Sequence, residues 1–285
     1  MMKTNLFSVL IAQYNNAKYL QEAIDSVKAQ TYRNWEIILV DDASTDSSTD
    51  LYKLYENDDR IKIFYNKENK GCGYTKRLCI EFAKGEICGF LDPDDALEPE
   101  ALDLMTNEHL RDKNISLIYS RYIVCDENLN KKYISQCTKK ISNDNDYLHS
   151  ARYIISHFVS FKKNLYNKTE GINPLLKRAV DQDLYLKLEE IGSLVFIDKP
   201  LYLYRIHKGG ISAYDNNYKA FYWHIKVVDA ACYRRRILYK SEDIVAEMIR
   251  NNFSRTSTVI NNPSLKDVLK CIYRYIKKKL DIVSK

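Results

Sequence analysis

Short apolar runs alternate with amphipathic segments along the first 95 residues of the chain. Four runs are apolar on both faces and rich in Ile, Val and aromatic residues, which predicts buried strands. They lie at 7–12, 35–40, 61–65 and 87–91. Three intervening segments carry apolar residues at intervals of three and four, as amphipathic helices do. They span 18–30, 47–57 and 74–84. This order predicts an α/β fold with a mostly parallel sheet covered by helices.

The pattern loosens after residue 95. The sequence there predicts, in order, a helix at 99–111, a strand at 115–124, a polar connection at 126–150, an apolar stretch at 153–161, a helix at 182–190, a strand at 194–198 and a segment at 201–212. From about residue 215 onward the apolar spacing is helical throughout. We therefore expect one domain over 1–212, followed by a helical C-terminal extension at 213–285.

Acidic residues cluster directly after two of the predicted strands. Asp41 and Asp42 follow the second strand, and Asp92, Asp94 and Asp95 follow the fourth. Sheets of this kind bind ligands at the carboxyl ends of their strands. Because neighbouring carboxylates repel one another, a bound Mn²⁺ or Mg²⁺ ion would relieve the repulsion. Asp92 and Asp94 are therefore predicted to clamp a divalent metal and a diphosphate.

Both clusters also have a purely structural interpretation. The run Asp-Pro-Asp-Asp at 92–95 suits a solvated acidic turn before the next helix. The pair Asp41 and Asp42 suits a cap for the helix that begins after 44–46. Each cluster taken by itself leaves both interpretations open. The functional one gains weight from their combination, because a βαβ sheet brings the two strand ends together.

Charge is concentrated at the C-terminal end of the chain. The formal net charge is +6, and 264–285 alone, with seven basic and two acidic residues, carries a local +5. The remainder is almost neutral, so composition gives no support to nucleic-acid binding. An apolar stripe with a basic opposite face suits a helix on an anionic membrane surface. It suits equally well a helix that docks on the catalytic domain or on a second copy of the chain.

The cysteines and the apolar runs bear on the cellular compartment. Seven cysteines are scattered without a C-x-x-C pair, which indicates reduced thiols rather than a disulfide scaffold or a zinc site. The apolar run at 6–12 is too short for a secretory signal, and nothing approaches the roughly 20 apolar residues of a membrane span. We expect a soluble cytoplasmic protein, with 264–285 as the segment for any peripheral association with the inner face of the membrane.

Six motifs, in order and at matching separations, resemble the N-terminal half of family 2 glycosyltransferases. They lie at 8–15, 20–32, 35–46, 69–71, 83–86 and 90–95. The resemblance is close over about 6–110 and continues weakly to about 212. It implies a GT-A fold, which is a Rossmann-like mixed sheet flanked by helices. It also implies a nucleotide-sugar-binding part at 1–95 and an acceptor side at 96–212.

The resemblance implies roles for residues of the donor site. Tyr14 falls where the family lines the nucleobase pocket, and Asp42 falls where it accepts a hydrogen bond from the base, usually uracil. Asp94 falls at the metal-binding carboxylate of the D-x-D motif, and Asp92 faces the ribose or the metal. Lys76 occupies a donor-contacting position that is often Arg. The lysine keeps the positive charge and loses the bidentate geometry.

Four further positions complete the donor site that the resemblance implies. Ala12 replaces the usual Pro and Arg77 the usual Asn, and neither change removes a catalytic group. Tyr-Arg-Ile-His at 204–207 is similar to the family's Tyr-Arg-x-His segment. It implies a diphosphate contact for Arg205 and a third metal ligand in His207. For a single histidine, a structural hydrogen-bonding role stays open.

The segment 178–188 resembles the family's Glu-Asp-x-Asp-Leu-x-Leu-Arg-Leu motif, with Val180 where Glu is common. Asp181 then falls at the general base that takes the proton of the acceptor hydroxyl in inverting transfer. Asp183 is the fallback. A structural role, in which both carboxylates cap the helix and complement its dipole, also stays open.

These observations predict a metal-dependent, inverting glycosyltransferase of EC class 2.4. It would transfer a sugar from a nucleotide-diphosphate sugar, with UDP favoured, to a hydroxyl of a glycan or lipid-linked acceptor in surface polysaccharide biosynthesis. The alternatives are a nucleotidyltransferase and a catalytically silent nucleotide-sugar-binding scaffold. A nucleotidyltransferase is expected to carry a Gly-rich, basic phosphate loop after the first strand, and Gln-Tyr-Asn-Asn at 13–16 offers none.

Overall fold

The computed structural model describes residues 5–141, 147–150, 154–207 and 217–236. By compactness the chain divides into two units, 1–207 and 208–285. The predicted domain boundary at 212 and the predicted basic helix at 264–285 both lie outside the described residues. The division of function at residue 95 stays a prediction.

The described part of the first unit contains nine strands and seven α-helices. In chain order they are β1 (Phe7–Gln13), α1 (Ala17–Lys28), β2 (Trp35–Asp41), α2 (Ser48–Tyr52), β3 (Ile61–Tyr65), α3 (Cys72–Phe82), β4 (Ile87–Phe90), β5 (Ala96–Leu97), α4 (Ala101–Arg111), β6 (Ile115–Cys125), β7 (Lys131–Ile134), α5 (Tyr147–Ser150), β8 (Val159–Lys162), α6 (Lys163–Tyr166), α7 (Val180–Glu189) and β9 (Ser193–Arg205). The second unit has one described helix, α8 (Asn217–Arg234).

The four N-terminal strands form a parallel sheet in the order β3-β2-β1-β4. Every residue of β2 and β4 is buried, as expected of parallel strands covered on both faces. Helix α1 buries Leu20, Ile24 and Val27 in the same apolar core as residues of β1 and β2, and α3 packs on those two strands. The parallel α/β arrangement predicted for the first 95 residues is confirmed.

Beyond β4 the sheet becomes mixed. Strand β8 is antiparallel to both β4 and β6, whereas β9 runs parallel to β6. Across the described sheet, parallel and antiparallel pairings are equal in number. The predicted Rossmann-like mixed sheet with flanking helices is confirmed. Its four N-terminal strands pair only in parallel with one another, and the C-terminal half adds one parallel pair, β6 with β9.

Three predicted elements differ from the structure. The connection at 126–150 contains β7 and α5; β7 is only four residues long, begins with two lysines and is exposed throughout. Strand β9 is continuous over 13 residues, although two separate segments were expected. The segment 47–57 gives only the short helix α2 followed by a 3₁₀ turn at Lys53–Tyr55.

A bulge in β9 explains why the sequence predicts two separate segments where the structure has one strand. Between Ser120 and Tyr122, β6 advances by two residues while β9 advances by five, from Ile197 to Tyr202. The extra residues include Pro200, which is tolerated in a sheet at bulges and edges. After the bulge β9 pairs with β5 as well as with β6. This second half of β9 therefore runs past the segment that follows β4.

No helix among the described residues is long and apolar enough to cross a membrane. Six cysteines among the described residues are free thiols, and four of these are buried.

Candidate active site

The ends of β1, β2 and β4 meet at one edge of the sheet. The parallel register pairs Gln13 with Asp41 and Leu10 with Phe90. The segments that follow these strands therefore emerge together, and the two acidic clusters flank the end of β1. The structure brings together the strand ends that the sequence singled out.

The carboxylates after β2 are buried and satisfied by their own chain. Asp42 accepts hydrogen bonds from the backbone N–H groups of Lys70 and Gly71, each at 2.8 Å, and from the side chain of Asn66 at 2.7 Å. Asp41 accepts hydrogen bonds from the Ser44 backbone N–H at 2.6 Å and from the hydroxyl of Tyr52. Asp42 thus holds the loop that connects β3 to α3. Its predicted contact with a base is not tested by these bonds.

The loops after β1 and β2 are tied to each other. The Asn15 backbone N–H donates to Ser44 Oγ at 3.0 Å, and Asn15 Oδ1 accepts from the Thr45 backbone N–H at 2.7 Å. Asn15 sits in the left-handed region with φ 50°, which Asn tolerates better than most residues. Tyr14 is left 49% exposed at this edge, and Ala12 lies within β1 opposite Val40. The Tyr14 ring is therefore accessible to a ligand.

The segment after β4 is a tight turn held by its last carboxylate. The Asp95 backbone N–H donates to the Asp92 carbonyl at 3.1 Å. The buried Asp95 side chain accepts from the Tyr202 hydroxyl and from the Arg205 backbone N–H, both at 2.7 Å. Burial, and then the charges of Asp94 and Asp92, raise the pKa of Asp95 well above its ordinary value. Asp95 therefore attaches the turn to β9 and is not itself exposed to a ligand.

Asp94 meets His207 across this turn. The distance from His207 Nε2 to Asp94 Oδ2 is 2.8 Å, and the histidine ring lies 4.8 Å from the ring of Tyr19. The Asp94 side chain is only partly exposed. The structure thus brings together the two side chains that were predicted to share a metal.

Arg205 lies behind this pair and is buried. Its Nε donates to the Asp94 carbonyl at 2.6 Å, and its two terminal nitrogens donate to the Glu127 carbonyl and the Glu22 carboxylate. The guanidinium also stacks over the Tyr19 ring at 4.4 Å. These contacts make Arg205 a brace for the turn. Its predicted diphosphate contact remains untested.

Lys76 connects the turn after β4 to the start of α7. Its ammonium lies 2.7 Å from Asp181 Oδ1 and 3.3 Å from Asp92 Oδ1. The lysine side chain is 7% exposed, whereas that of Asp181 is 46% exposed. Burial alone would lower the pKa of Lys76, but the charges of Asp181 and Asp92 outweigh it and raise the pKa well above its ordinary value. Lys76 is therefore a permanent cation between two carboxylates from different elements.

The two carboxylates of α7 have different surroundings. Asp183 is buried and accepts hydrogen bonds from Lys187 Nζ and the Asn173 backbone N–H, each at 2.9 Å. Lys187 also donates to the Gly171 carbonyl at 2.7 Å. Asp183 therefore fastens the loop before α7 to the helix, whereas the Asp181 side chain is half exposed beside Lys76. This geometry favours Asp181 over the fallback as the residue that meets a substrate.

Within the described residues, no group of three His, Cys, Asp or Glu side chains is arranged as a metal site. The pair Asp94 and His207 does present a carboxylate oxygen and an imidazole nitrogen within 2.8 Å of each other. That donor set suits Mn²⁺, and Mg²⁺ commonly takes one or two carboxylates with its other ligands from water and substrate phosphates. The residues therefore fit a divalent cation whose other ligands would come from water or phosphate oxygens.

Sequence reasoning missed two side chains that build this site, Tyr202 and His157. Tyr202 joins β9 to Asp95 in the turn after β4, and the Asp92 backbone N–H donates to the Tyr202 hydroxyl at 3.3 Å. His157, just before β8, stacks on Tyr202 and Tyr204. Tyr202 lies two residues before the Tyr-Arg-x-His segment, so strand periodicity offered a signal for it. Nothing in the local sequence marked His157.

Known proteins similar to this chain are polysaccharide synthases and other glycosyltransferases. The chain is 30% identical over 264 residues to a chondroitin synthase of Pasteurella multocida, covering 88% of this chain and 26% of that protein. It is 35% identical over 205 residues to a chondroitin synthase of Escherichia coli, covering 71% and 29%. It is 29% identical over 224 residues to glycosyltransferase GlyG of Streptococcus pneumoniae, covering 73% of both. The chain thus spans less than a third of the length of the two chondroitin synthases.

Solved structures and a family model complete the comparison. The fold is similar to that of S. aureus TarS 1-349, with a TM-score of 0.68 and 21% identity over 92% of this chain and 76% of that one. The same TarS fragment in complex with UDP-GlcNAc also gives a TM-score of 0.68, over 93% and 81% of the two chains. The model of the family described as glycosyl transferase family 2 matches residues 8–189. Because this match covers well over half of the chain, the protein belongs to glycosyltransferase family 2.

Proposed function

We propose that this protein is an inverting, metal-dependent glycosyltransferase that moves a sugar from a UDP-sugar to a hydroxyl of a glycan. Membership of the family supports the reaction class. The names of the chondroitin and hyaluronan synthases among its relatives support a polysaccharide as the product. The UDP-GlcNAc complex of TarS, which has the same fold, supports a UDP-sugar donor.

The observation that carries the proposal is the position of Lys76. One ammonium contacts Asp92, from the turn after β4, and Asp181, from the start of α7. A donor diphosphate at Asp92 and an acceptor hydroxyl at Asp181 would then lie within a few ångströms of each other. Inverting transfer needs this arrangement, because the base must act on the face of the sugar opposite the leaving group.

The leaving diphosphate requires positive charge. Asp94 and His207 would hold a divalent cation, either Mn²⁺ or Mg²⁺, which neutralises charge on the diphosphate when it is bound. Lys76 supplies a second positive charge, and its raised pKa keeps that charge over the whole physiological range. In this proposal Asp92 faces the ribose or the metal, and Arg205 supports the turn after β4 through its hydrogen bond to the Asp94 carbonyl.

The base of the nucleotide is assigned to the end of β2 and the loop after β1. The exposed ring of Tyr14 is available to line the base. Ala12 lies two residues before it on β1. The Asp42 carboxylate accepts three hydrogen bonds and retains one acceptor position for the base, since two carboxylate oxygens provide about four.

Acceptor choice and cellular location belong to the same proposal. The acceptor side is assigned to 96–212, with a glycan or a lipid-linked glycan as the acceptor. Sugar transfer at the cytoplasmic face of a membrane would suit a lipid-linked acceptor. The basic segment 264–285 would then supply the contact with anionic lipid.

Replacement of the proposed base tests the reaction class. Asp181→Asn removes the proton acceptor, so we expect the rate of transfer to fall by about 10²- to 10⁴-fold. Binding of UDP-GlcNAc should persist, because the donor contacts remain. Transfer is measured by UDP release in the presence of acceptor oligosaccharides, and binding by calorimetry.

Asp183→Asn is the matched control. It makes the same chemical change two residues away, and it should lower the unfolding temperature because it breaks the buried contact with Lys187. Transfer by Asp181→Asn at the wild-type rate would exclude Asp181 as the base. Wild-type protein that binds UDP-GlcNAc and transfers nothing to any acceptor would favour the silent nucleotide-sugar binder.

A further inference from the structure

His157 lies at the candidate active site, although no motif includes it. It precedes β8, which pairs antiparallel with β4 so that Ser160 lies opposite Gly89. His157 itself lies two residues before β8, near enough to Asp92 and Asp181 for both carboxylates to act on it electrostatically. The backbone of His157 is in the left-handed region with φ 56°. Non-glycine residues are held in this region at a cost, and they cluster at functional sites.

Three tyrosine rings hold the imidazole. It stacks on Tyr204 with 4.0 Å between ring centroids and on Tyr202 with 5.6 Å, and it meets the edge of Tyr122 at 4.4 Å. Tyr202 in turn donates its hydroxyl proton to Asp95. The imidazole is therefore linked through a single side chain, that of Tyr202, to the turn that carries the D-x-D motif.

The nitrogens of this ring are available to a ligand. Among residues 5–141, 147–150, 154–207 and 217–236, no polar group hydrogen-bonds the His157 ring. Burial lowers its pKa to about 4, against the opposing charges of Asp92 and Asp181. At neutral pH the imidazole is therefore uncharged, with one nitrogen that donates and one that accepts.

We propose that His157 hydrogen-bonds the acceptor sugar beside Asp181 and orients the hydroxyl that attacks. The inference rests on the proposed glycosyl transfer and adds an acceptor-binding residue to it. Sugar hydroxyls both donate and accept, as a neutral imidazole does. A diphosphate instead needs positive charge, which Lys76 provides. The tyrosines come from β6 and β9, on the acceptor side of the sheet.

Two variants distinguish the effect of losing the ring nitrogens from the effect of straining the left-handed backbone. His157→Phe keeps an aromatic ring for the stack and removes both nitrogens. His157→Asn keeps a residue that tolerates the left-handed backbone and removes the ring, so its shorter amide no longer reaches the acceptor. For both we expect kcat/KM for the acceptor to fall by about tenfold, the effect of one lost hydrogen bond. Affinity for UDP-GlcNAc and hydrolysis of the donor by water should remain within about twofold of the wild type.

The acceptor is chosen as the best substrate of the wild-type protein in a panel of hyaluronan and chondroitin oligosaccharides. The matched control is His109→Asn, which removes another buried histidine, bonded to Ser160 Oγ at 2.9 Å and outside the site. It should lower the unfolding temperature and leave kcat/KM for the acceptor unchanged.

The outcomes separate this inference from the proposed function. If the wild type uses no acceptor in the panel, the proposed function fails and the inference fails with it. If the wild type transfers sugar and either folded variant at position 157 retains full kcat/KM for the acceptor, only the inference is overturned. Equal losses of donor affinity and acceptor kcat/KM would also overturn it, since they would indicate a general structural role.

Discussion

The acidic clusters after β2 and β4 are similar in sequence and differ in what surrounds them. Asp41 and Asp42 are buried and accept hydrogen bonds chiefly from backbone N–H groups. Asp92 and Asp94 are partly exposed, and their side chains meet an ammonium and an imidazole. Backbone donors belong permanently to the fold, whereas an ammonium and an imidazole can be redirected to a ligand.

The difference shows how to read acidic residues at the end of a buried strand. Their sequence position indicates where a site lies, because both clusters reach the same sheet edge. It does not indicate which carboxylates are free for chemistry, since that depends on partners remote in the chain. Asp42 finds its partners 24 to 29 residues away, and Asp94 finds His207 113 residues away.

Of the changes that test this comparison, the one with the largest expected effect lies in the cluster after β4. Asp94→Asn removes a charge from the proposed metal site, and we expect transfer at a fixed Mn²⁺ concentration to fall by about 100-fold or more. Mn²⁺ affinity, followed by electron paramagnetic resonance in the presence of UDP, should fall in parallel, while the unfolding temperature stays close to that of the wild type. Full wild-type activity in excess EDTA would contradict the metal assignment outright.

The same substitution in the other cluster should act on stability instead. In the wild type both Asp42 carboxylate oxygens accept hydrogen bonds from N–H donors. Asp42→Asn places an amide NH₂ against one of these donors, so we expect the free energy of unfolding to fall by about 1–3 kcal/mol. Urea denaturation measures it, with Asp94→Asn as the matched variant, expected to change stability by less than about 0.5 kcal/mol. The base contact proposed for Asp42 would add a loss of UDP affinity. Equal effects of the two substitutions on stability would remove the contrast between the clusters.

The smallest effect is expected at Lys76, which joins one cluster to the proposed base. Lys76→Met removes a charge-assisted contact to the diphosphate, so UDP affinity should fall by about tenfold. Stability should change little, because Asp92 and Asp181 are each more than 40% exposed and water can solvate them. Lys76→Arg is the control and should keep most of the affinity. Wild-type affinity in Lys76→Met, measured by calorimetry, would show that the ammonium serves only the protein's own carboxylates.

The sequence predicted the parts of the fold that repeat a local pattern. Strands β1, β2 and β4 were found because both of their faces are buried, β3 because its residues are mostly Ile and aromatic, and the sheet edge followed from their parallel order. The exposed strand β7 is only four residues long and begins with two lysines, so its apolar signal is weak, and Pro200 divided the signal of β9. These failures arise because pairing with β6, rather than local composition, makes both segments strands.

The candidate site was predicted in the same uneven way. Asp181, Asp94 and His207 lie in motifs, and the structure places Asp94 beside His207 and Asp181 beside Lys76, while their roles as metal ligands and base stay predictions. The structural roles of Asp183 and Arg205 depend on Asn173, Glu22 and other residues that no motif connects. His157 depends on a stack of rings from two further strands. Only the folded sheet brings such partners within reach.

The bulge in β9 fixes the length of the chain between two parts of the sheet. Removal of one residue from 198–201 would turn Tyr202 and Tyr204 to the opposite face, since side chains alternate along a strand. Removal of two would keep the face and displace both rings by about 7 Å along the strand. The number of residues in this segment is therefore constrained whatever their identity. Insertions and deletions there, more than substitutions, would separate functional from non-functional versions of this protein.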